Sequence, residues 1–246
     1  MRKGVFLKEK VLVIIPAYNE EKSLAAVCAE IRGHLPQSTI LVVSDGSEDN
    51  TAQVARSQGV QLLDLPVNLG VGGAMRAGYL YARRHDFDWA VQVDADGQHD
   101  ARNIPAMIRK ATEDGLDLVI GSRFAQETGY DVHGPRKWAM KVLSKTLSHI
   151  CKTKLTDTTS GFKLASKPLI ALFATDFPAE YLGDTLESLV IASRSGAKIA
   201  EVPVKMRKRM GGTPSHNPYQ SAKYLFRAVF ALAIAVTRKT HRTIHE

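Results

Sequence analysis

The stretch WAVQVDADGQHD, Trp89 to Asp100, begins as an apolar run and ends in three carboxylates, an amide and an imidazole. A short apolar run bounded by polar residues reads as a buried strand. In an extended chain side chains alternate, so Asp94, Asp96 and Gln98 are expected to point one way while Ala95 and Gly97 point the other. Three oxygen ligands would then converge, a set suited to Mg²⁺ or Mn²⁺, hard ions that take one or two carboxylates and complete their shell with substrate phosphates and water. A lone DxD more often solvates a strand end or caps the next helix, and Asp100 is a candidate N-cap. Its place among other polar strand ends decides for the functional reading.

Outward from this stretch, strands alternate with helices. VLVII (Val11 to Ile15) reads as a strand, and Leu24, Val27, Cys28 and Ile31 come next at helical spacing up to Pro36. Thr39 to Ser44 is the next strand, Asp49 to Ser57 a short helix, VQLLDL a third strand, and Met75, Gly78, Tyr79 and Ala82 a second helical stripe. After WAVQV come a helix with Ile104, Met107, Ile108 and Ala111 and the strand LDLVIG. This alternation predicts an α/β fold with a mostly parallel central sheet flanked by helices. In such sheets ligands bind outside the carboxyl ends of the strands. Here those ends carry PAYNEE (Pro16 to Glu21), SDGSED (Ser44 to Asp49), NLGVGG (Asn68 to Gly73) and DADGQ. The glycines at 70, 72 and 73 raise a dinucleotide-binding alternative, which Met75 breaks where GxGxxG requires glycine. A small-residue turn at a helix start still lets backbone N–H groups approach a phosphate.

Composition bounds the rest. The chain has 246 residues, 44% hydrophobic and 24% charged, within the range of one globular domain. No run reaches the roughly 18 apolar residues of a membrane span, and MRKGVFLKEK lacks the core of a signal peptide, which predicts a cytoplasmic protein. Cys28 and Cys151 form no metal-ligand or CxxC spacing and are read as buried free thiols. The formal charge of +8 points to an anionic partner. Nucleic acid is set aside because no aromatic platform interleaves with the charge.

The set PAYNEE, VVSDGSEDNT, NLGVGGAMRAG, DADGQHD, GSRF (Gly121 to Phe124), DTTSGFK (Asp157 to Lys163) and EVPV (Glu201 to Val204) resembles glycosyltransferase family 2. More narrowly, it resembles dolichyl- and polyprenyl-phosphate sugar synthases of the GT-A fold. The resemblance implies an inverting, metal-dependent transferase that moves a sugar from GDP-mannose or a UDP-hexose to a polyprenyl phosphate. It implies that Pro16, Tyr18, Glu20 and Asp45 meet the nucleoside, with Asn68, Gly70 and Asp94 also on the donor side. Asp94, Asp96 and Gln98 stand at the metal positions, with Mg²⁺ or Mn²⁺ as cofactor. The resemblance further implies that Arg209 helps hold the donor pyrophosphate, that Arg123 receives the lipid phosphate, and that Asp96 and Arg123 carry the catalysis.

The pattern departs from the family in places. Ser44 precedes Asp45 where two acids are usual, and Met140 stands where a second acceptor arginine is expected four residues before Ser144. Arg136 or Lys141 is the expected substitute, and Ser144 is expected beside them among the acceptor-binding residues. RMGGTPSH blurs the closing motif, leaving Ser215 and His216 as its counterparts. Some basic residues have a plainer reading as solvated surface, Arg207 and Arg209 included, and Glu187 is read equally as a loop anchor or a helix support. His99 is assigned to structure.

The expected organisation is a nucleotide-sugar half over 11–124, an acceptor-side half over 125–220 and a C-terminal helix over 221–246. Between Arg227 and Arg238 lie ten uncharged residues, about 15 Å as a helix against a hydrocarbon core of about 30 Å. That helix is read either as core packing or as an interfacial anchor on the inner face of the membrane. Expected partners are the nucleotide sugar, the polyprenyl phosphate and the membrane surface, with room for a membrane-protein partner. The alternatives are a transferase of the same fold acting on a soluble glycan or protein, and a catalytically silent sugar-nucleotide-binding protein.

Overall fold

A computed structural model of the chain describes residues 9–124, 135–178, 184–210 and 243–244. In chain order the first half holds β1 (Val11–Ala17), α1 (Leu24–His34), β2 (Thr39–Asp45), α2 (Thr51–Ser57), β3 (Gln61–Leu65), α3 (Gly70–Arg84) and β4 (Trp89–Gln92). A 3₁₀ turn (Ala101–Asn103) leads into α4 (Ile104–Asp114) and β5 (Leu118–Ser122). The second half adds α5 (Pro135–Ile150), β6 (Lys163–Ser166), α6 (Lys167–Asp176), α7 (Asp184–Arg194) and β7 (Ile199–Pro203).

These strands form one seven-stranded sheet in the order β3-β2-β1-β4-β6-β5-β7. Only β6 runs antiparallel to its neighbours, β4 and β5; every other pair is parallel. The expected mostly parallel sheet is therefore present. β2 and β4 flank β1, so the strand order reverses there and opens a crevice at the carboxyl ends of β1 and β4.

The alternation of side chains across β1 divides the core into two layers. Leu12 and Ile14 join Leu41, Val43, Met75, Tyr79 and Phe173 on the side of α3 and α6. Val11, Val13 and Ile15 join Leu24, Ile31, Val42, Ile104 and Met107 on the side of α1 and α4. Burial on both faces explains why these strands read as continuous apolar runs. α3 lies close on β1 because Gly78 has no side chain; a Cβ there would come within 2.5 Å of Ile14 Cγ2.

One geometric expectation is corrected. β4 ends at Gln92, before the acidic motif, and the chain turns through Gly97 at φ 77°. The pleat therefore does not aim Asp94, Asp96 and Gln98 in one direction; a turn positions them. Asp100 does cap the 3₁₀ turn, its carboxylate accepting the Arg102 N–H at 3.0 Å.

Among the described residues no helix is long and apolar enough to cross a membrane. The expected C-terminal helix, Ser215 and His216 lie outside the described residues. Ile244 is described: its N–H donates to the Ser195 carbonyl at 3.0 Å and its side chain packs on the α3 side of the core.

Candidate active site

The polar loops at the strand ends bind one another. Asn19, held at φ 55°, accepts the Glu48 N–H on its side-chain oxygen at 2.8 Å, and Ser47 Oγ accepts the Asn19 N–H at 3.2 Å. The Glu20 N–H donates to Thr51 Oγ1 at 2.8 Å, and the Glu21 carboxylate accepts the Asn50 N–H at 3.1 Å. PAYNEE and SDGSED thus form one rigid rim, with Pro16 half-buried beneath it and Tyr18 exposed on top.

Asp45 is buried and its Oδ1 accepts the Leu69 N–H at 2.7 Å. Burial raises its pKa, and backbone hydrogen bonds from Leu69 and Gly70 oppose that rise. Asn68 Oδ1 accepts the Gly70 N–H at 2.9 Å, closing the turn into α3. Asp45 and Asn68 therefore orient the glycine turn through its own N–H groups. Gly46 allows the two loops to meet, since a Cβ there would lie 2.5 Å from the Asn68 nitrogen.

The acidic turn after β4 is built in the same way. Asp94 Oδ1 accepts from Gln92 Nε2 at 3.0 Å, and its Oδ2 lies 3.5 Å from His99 Nε2. His99 Nδ1 accepts the Asp94 N–H at 3.0 Å, which assigns the ring proton to Nε2. The buried imidazole stacks on Phe162 at 4.8 Å between centroids. His99 is thus packed in the core, and its partner is the acidic motif itself. Asp96 is buried; its Oδ1 accepts the Gln98 N–H at 2.9 Å and its Oδ2 lies 3.6 Å from Arg209 Nη1. Burial raises its pKa and the neighbouring Asp94 charge adds to the rise, against the Gln98 N–H and Arg209. The Gln98 side-chain amide donates to the Arg207 carbonyl at 3.4 Å.

Arg209 closes the crevice. Its Nη2 pairs with Glu20 of the first loop while Nη1 faces Asp96 of the fourth. Glu20, Asp96 and Arg209, drawn from three distant segments, meet at the topological switch point, and the Asp94 charge acts on Asp96 from the same turn. The reading of Arg207 and Arg209 as solvated surface charges is therefore replaced by ion pairing of both. The donor set also fits a hard dication. Among the described residues no three His, Cys, Asp or Glu side chains are grouped to hold a metal. The two carboxylates of this turn, Asp94 and Asp96, are donors of the kind Mg²⁺ and Mn²⁺ take together with phosphate oxygens and water.

On the other side of the sheet's midpoint, Arg123 comes directly after β5. Its Nε and Nη2 donate to Asp157 at 2.6 and 2.7 Å, and Nη2 also reaches Thr159 Oγ1 at 2.8 Å. Asp157 is fully buried. Glu201 of β7 fixes it in turn, accepting the Thr156 and Asp157 N–H groups at 2.7 and 2.8 Å. Asp157 and Glu201 stand within recognisable motifs, yet the sequence assigns them no role; pairing across 34 and 44 residues leaves no local signal. Ser144 Oγ donates to the Leu155 carbonyl and so pins α5 to the following loop. Arg136 and Lys141 lie on α5, with side chains outside the described residues.

The family model of Glycosyl transferase family 2 matches residues 12–173. The undecaprenyl-phosphate mannosyltransferase of Micrococcus luteus is 31% identical over 81% of this chain and 84% of its own. The polyprenol monophosphomannose synthase of Mycolicibacterium smegmatis is 30% identical over 82% and 78%. Among solved structures, glucosyl-3-phosphoglycerate synthase from Mycobacterium tuberculosis, in complex with Mn²⁺, UDP-glucose and phosphoglyceric acid, superposes with a TM-score of 0.70 at 19% identity, covering 95% of this chain and 82% of that one. The GT-A arrangement of the sheet, the order of the motifs and these matches agree: the chain belongs to glycosyl transferase family 2 and is a glycosyltransferase.

Proposed function

We propose that this enzyme transfers a hexose, with inversion, from a nucleotide diphosphate sugar to a polyprenyl phosphate at the inner face of the membrane. The observation that carries the reading is the meeting of Glu20, Asp96 and Arg209 at the switch point, with Asp94 in the same turn, in a chain whose relatives act, by name, on undecaprenyl and polyprenol phosphates. Asp94 and Asp96 would hold Mg²⁺ or Mn²⁺, and the bound ion would supply charge stabilisation to the departing diphosphate. Arg209 adds its charge on the same side, and the rim of Pro16, Tyr18 and Asp45 receives the nucleoside.

The acceptor needs no dedicated base. A phosphate monoester, with a second pKa of about 6, is largely dianionic at neutral pH. Its oxygen attacks the anomeric carbon, the bond to the diphosphate oxygen breaks, and the electron pair leaves with the nucleoside diphosphate. Basic residues on the acceptor side, Arg123 with Arg136 or Lys141, align the incoming phosphate.

The test is a panel of labelled UDP-glucose and GDP-mannose with undecaprenyl phosphate and Mn²⁺ or Mg²⁺, followed into organic extract. Label in the lipid phase supports the reading; label moved only to a soluble phosphate such as phosphoglycerate overturns the acceptor. Asp96→Asn keeps the volume and an acceptor for the Gln98 N–H, so it should lower transfer at least about a hundredfold while the melting temperature stays near the parent's. Unchanged transfer by this variant would remove Asp96 from the metal site.

A further inference from the structure

Residues 205–210 cross the acidic turn as a strap. The Arg207 N–H donates to the Gln98 carbonyl at 3.0 Å and the Met210 N–H to the Asp96 carbonyl at 2.9 Å. Met210 lies over Gly97, where a Cβ would sit 2.5 Å from its Sδ. No residue of the strap belongs to either buried core layer. Its position rests on these bonds, on the Gln98 amide at the Arg207 carbonyl and on the ion pairs of two strap side chains, Arg207 and Arg209.

Of the two, Arg207 points away from the acidic pair Glu20 and Asp96 and ties the strap to α1 and the 3₁₀ turn. Its Nη1 pairs with Glu30 of α1 at 2.6 Å and its Nη2 with Asp100 at 2.7 Å. The other Glu30 oxygen accepts the Ala101 N–H at 3.1 Å, so one carboxylate grips both the strap and the start of the 3₁₀ turn. A planar guanidinium can hold two carboxylates at once, whereas an ammonium on a flexible stem fixes neither direction as well. Two residues on, Arg209 faces Glu20 and Asp96.

We propose that Arg207 is a positioning residue for the donor site: by clamping residues 205–210 to Glu30 and Asp100 it sets the Arg209 guanidinium where the donor diphosphate binds. This rests on the donor reading above and not on the identity of the acceptor. An ordinary surface ion pair would contribute little and act through nothing. The clamp differs in that its loss frees a segment that carries a site residue. Arg207→Ala should therefore loosen the strap, leave the core intact and act only while Arg209 is present.

The experiment uses the full chain and measures binding of UDP-glucose and GDP-mannose with Mn²⁺ by calorimetry, taking whichever the parent binds. Arg207→Ala is expected to weaken donor binding about ten- to fiftyfold, and Arg207→Lys to recover part of that loss. In an Arg209→Gln background, Arg207→Ala should cost less than about threefold more, the non-additivity of a residue that acts through another. Hydrogen exchange at the Met210 amide, read without any ligand, should quicken at least about tenfold in Arg207→Ala, while the α1 and β1 amides stay at the parent's rates. Parent-like donor binding in Arg207→Ala, full additivity with Arg209→Gln, or an unchanged Met210 amide would each overturn the clamp. A parent that binds a donor but sends the sugar to a soluble acceptor sinks the lipid reading and leaves the clamp standing. A parent that binds neither nucleotide sugar overturns both.

Discussion

Arg123 and Asp157 illustrate how a residue singled out in the sequence can have a partner that the sequence does not reveal. The GSRF motif points to a cation for a phosphate, yet the guanidinium is bidentate on a carboxylate with no solvent exposure. Removing one member of such a pair leaves a buried charge, so Arg123→Ala should lower unfolding free energy by about 3 kcal/mol, read by urea titration. A loss below about 1 kcal/mol would mean that Asp157 does not depend on it. A role toward the acceptor is better sought with Arg123→Lys, as a rise in KM for lipid phosphate at unchanged donor binding. Ser44 is the opposite case. Its hydroxyl is buried with no hydrogen-bond partner among the described residues. Ser44→Ala should leave stability unchanged or raise it by about 1 kcal/mol, because the folded chain gives up no bond while the unfolded chain gives up hydration. A clear fall in the urea midpoint would reveal a partner for the hydroxyl.

Among the elements, the legible ones are those whose signal is local. β1, β2, β4 and β5 are apolar runs with both faces buried, and α3 and α4 announce their buried faces by spacing, so each can be read as a string of residues. β6 cannot. It is four residues long and slots antiparallel between β4 and β5, a pairing set by chain segments far apart in sequence. The same limit governs the site. Asp94 and Asp96 are visible as carboxylates at a strand end, whereas the Arg207 clamp spans 177 residues to Glu30. Acid provides a handle on that clamp. Burial alone would raise the Asp100 pKa, but hydrogen bonds from Arg102 and Arg207 outweigh it and hold the carboxyl well below the usual carboxylate range. Its folded pKa is depressed, so its contribution is fully present above the unfolded value of about 4 and is lost as pH falls below that. Asp45 and Asp96, whose pKa values are raised, work in the opposite direction, so the comparison must be made against a variant. Between pH 5 and 3 the parent's melting temperature should fall more steeply than that of Asp100→Asn. Parallel curves would show that the clamp does not bind the ionised form more tightly.

For the whole molecule, the question is whether the two halves of the chain fold as one unit. The sheet argues that they do: β6 of the second half pairs with both β4 and β5 of the first, and α3 packs against α6 of the second half around Tyr79, Phe173 and Phe177, whose rings lie 5.1 to 5.2 Å apart. The two cysteines report on this from opposite faces. Cys28 lies in the layer under α1 and α4, and Cys151 in the layer under α3 and α6. Burial pushes both thiols up to about 11, so neither offers appreciable thiolate at neutral pH in the folded chain. In a graded urea series at pH 7.5, both should react with a thiol reagent over the same concentration range, coincident with the loss of circular dichroism. Labelling of Cys151 well before Cys28 would mean that the second half opens on its own. The Tyr79 cluster would then be an interface between two separately stable parts and not the centre of one core.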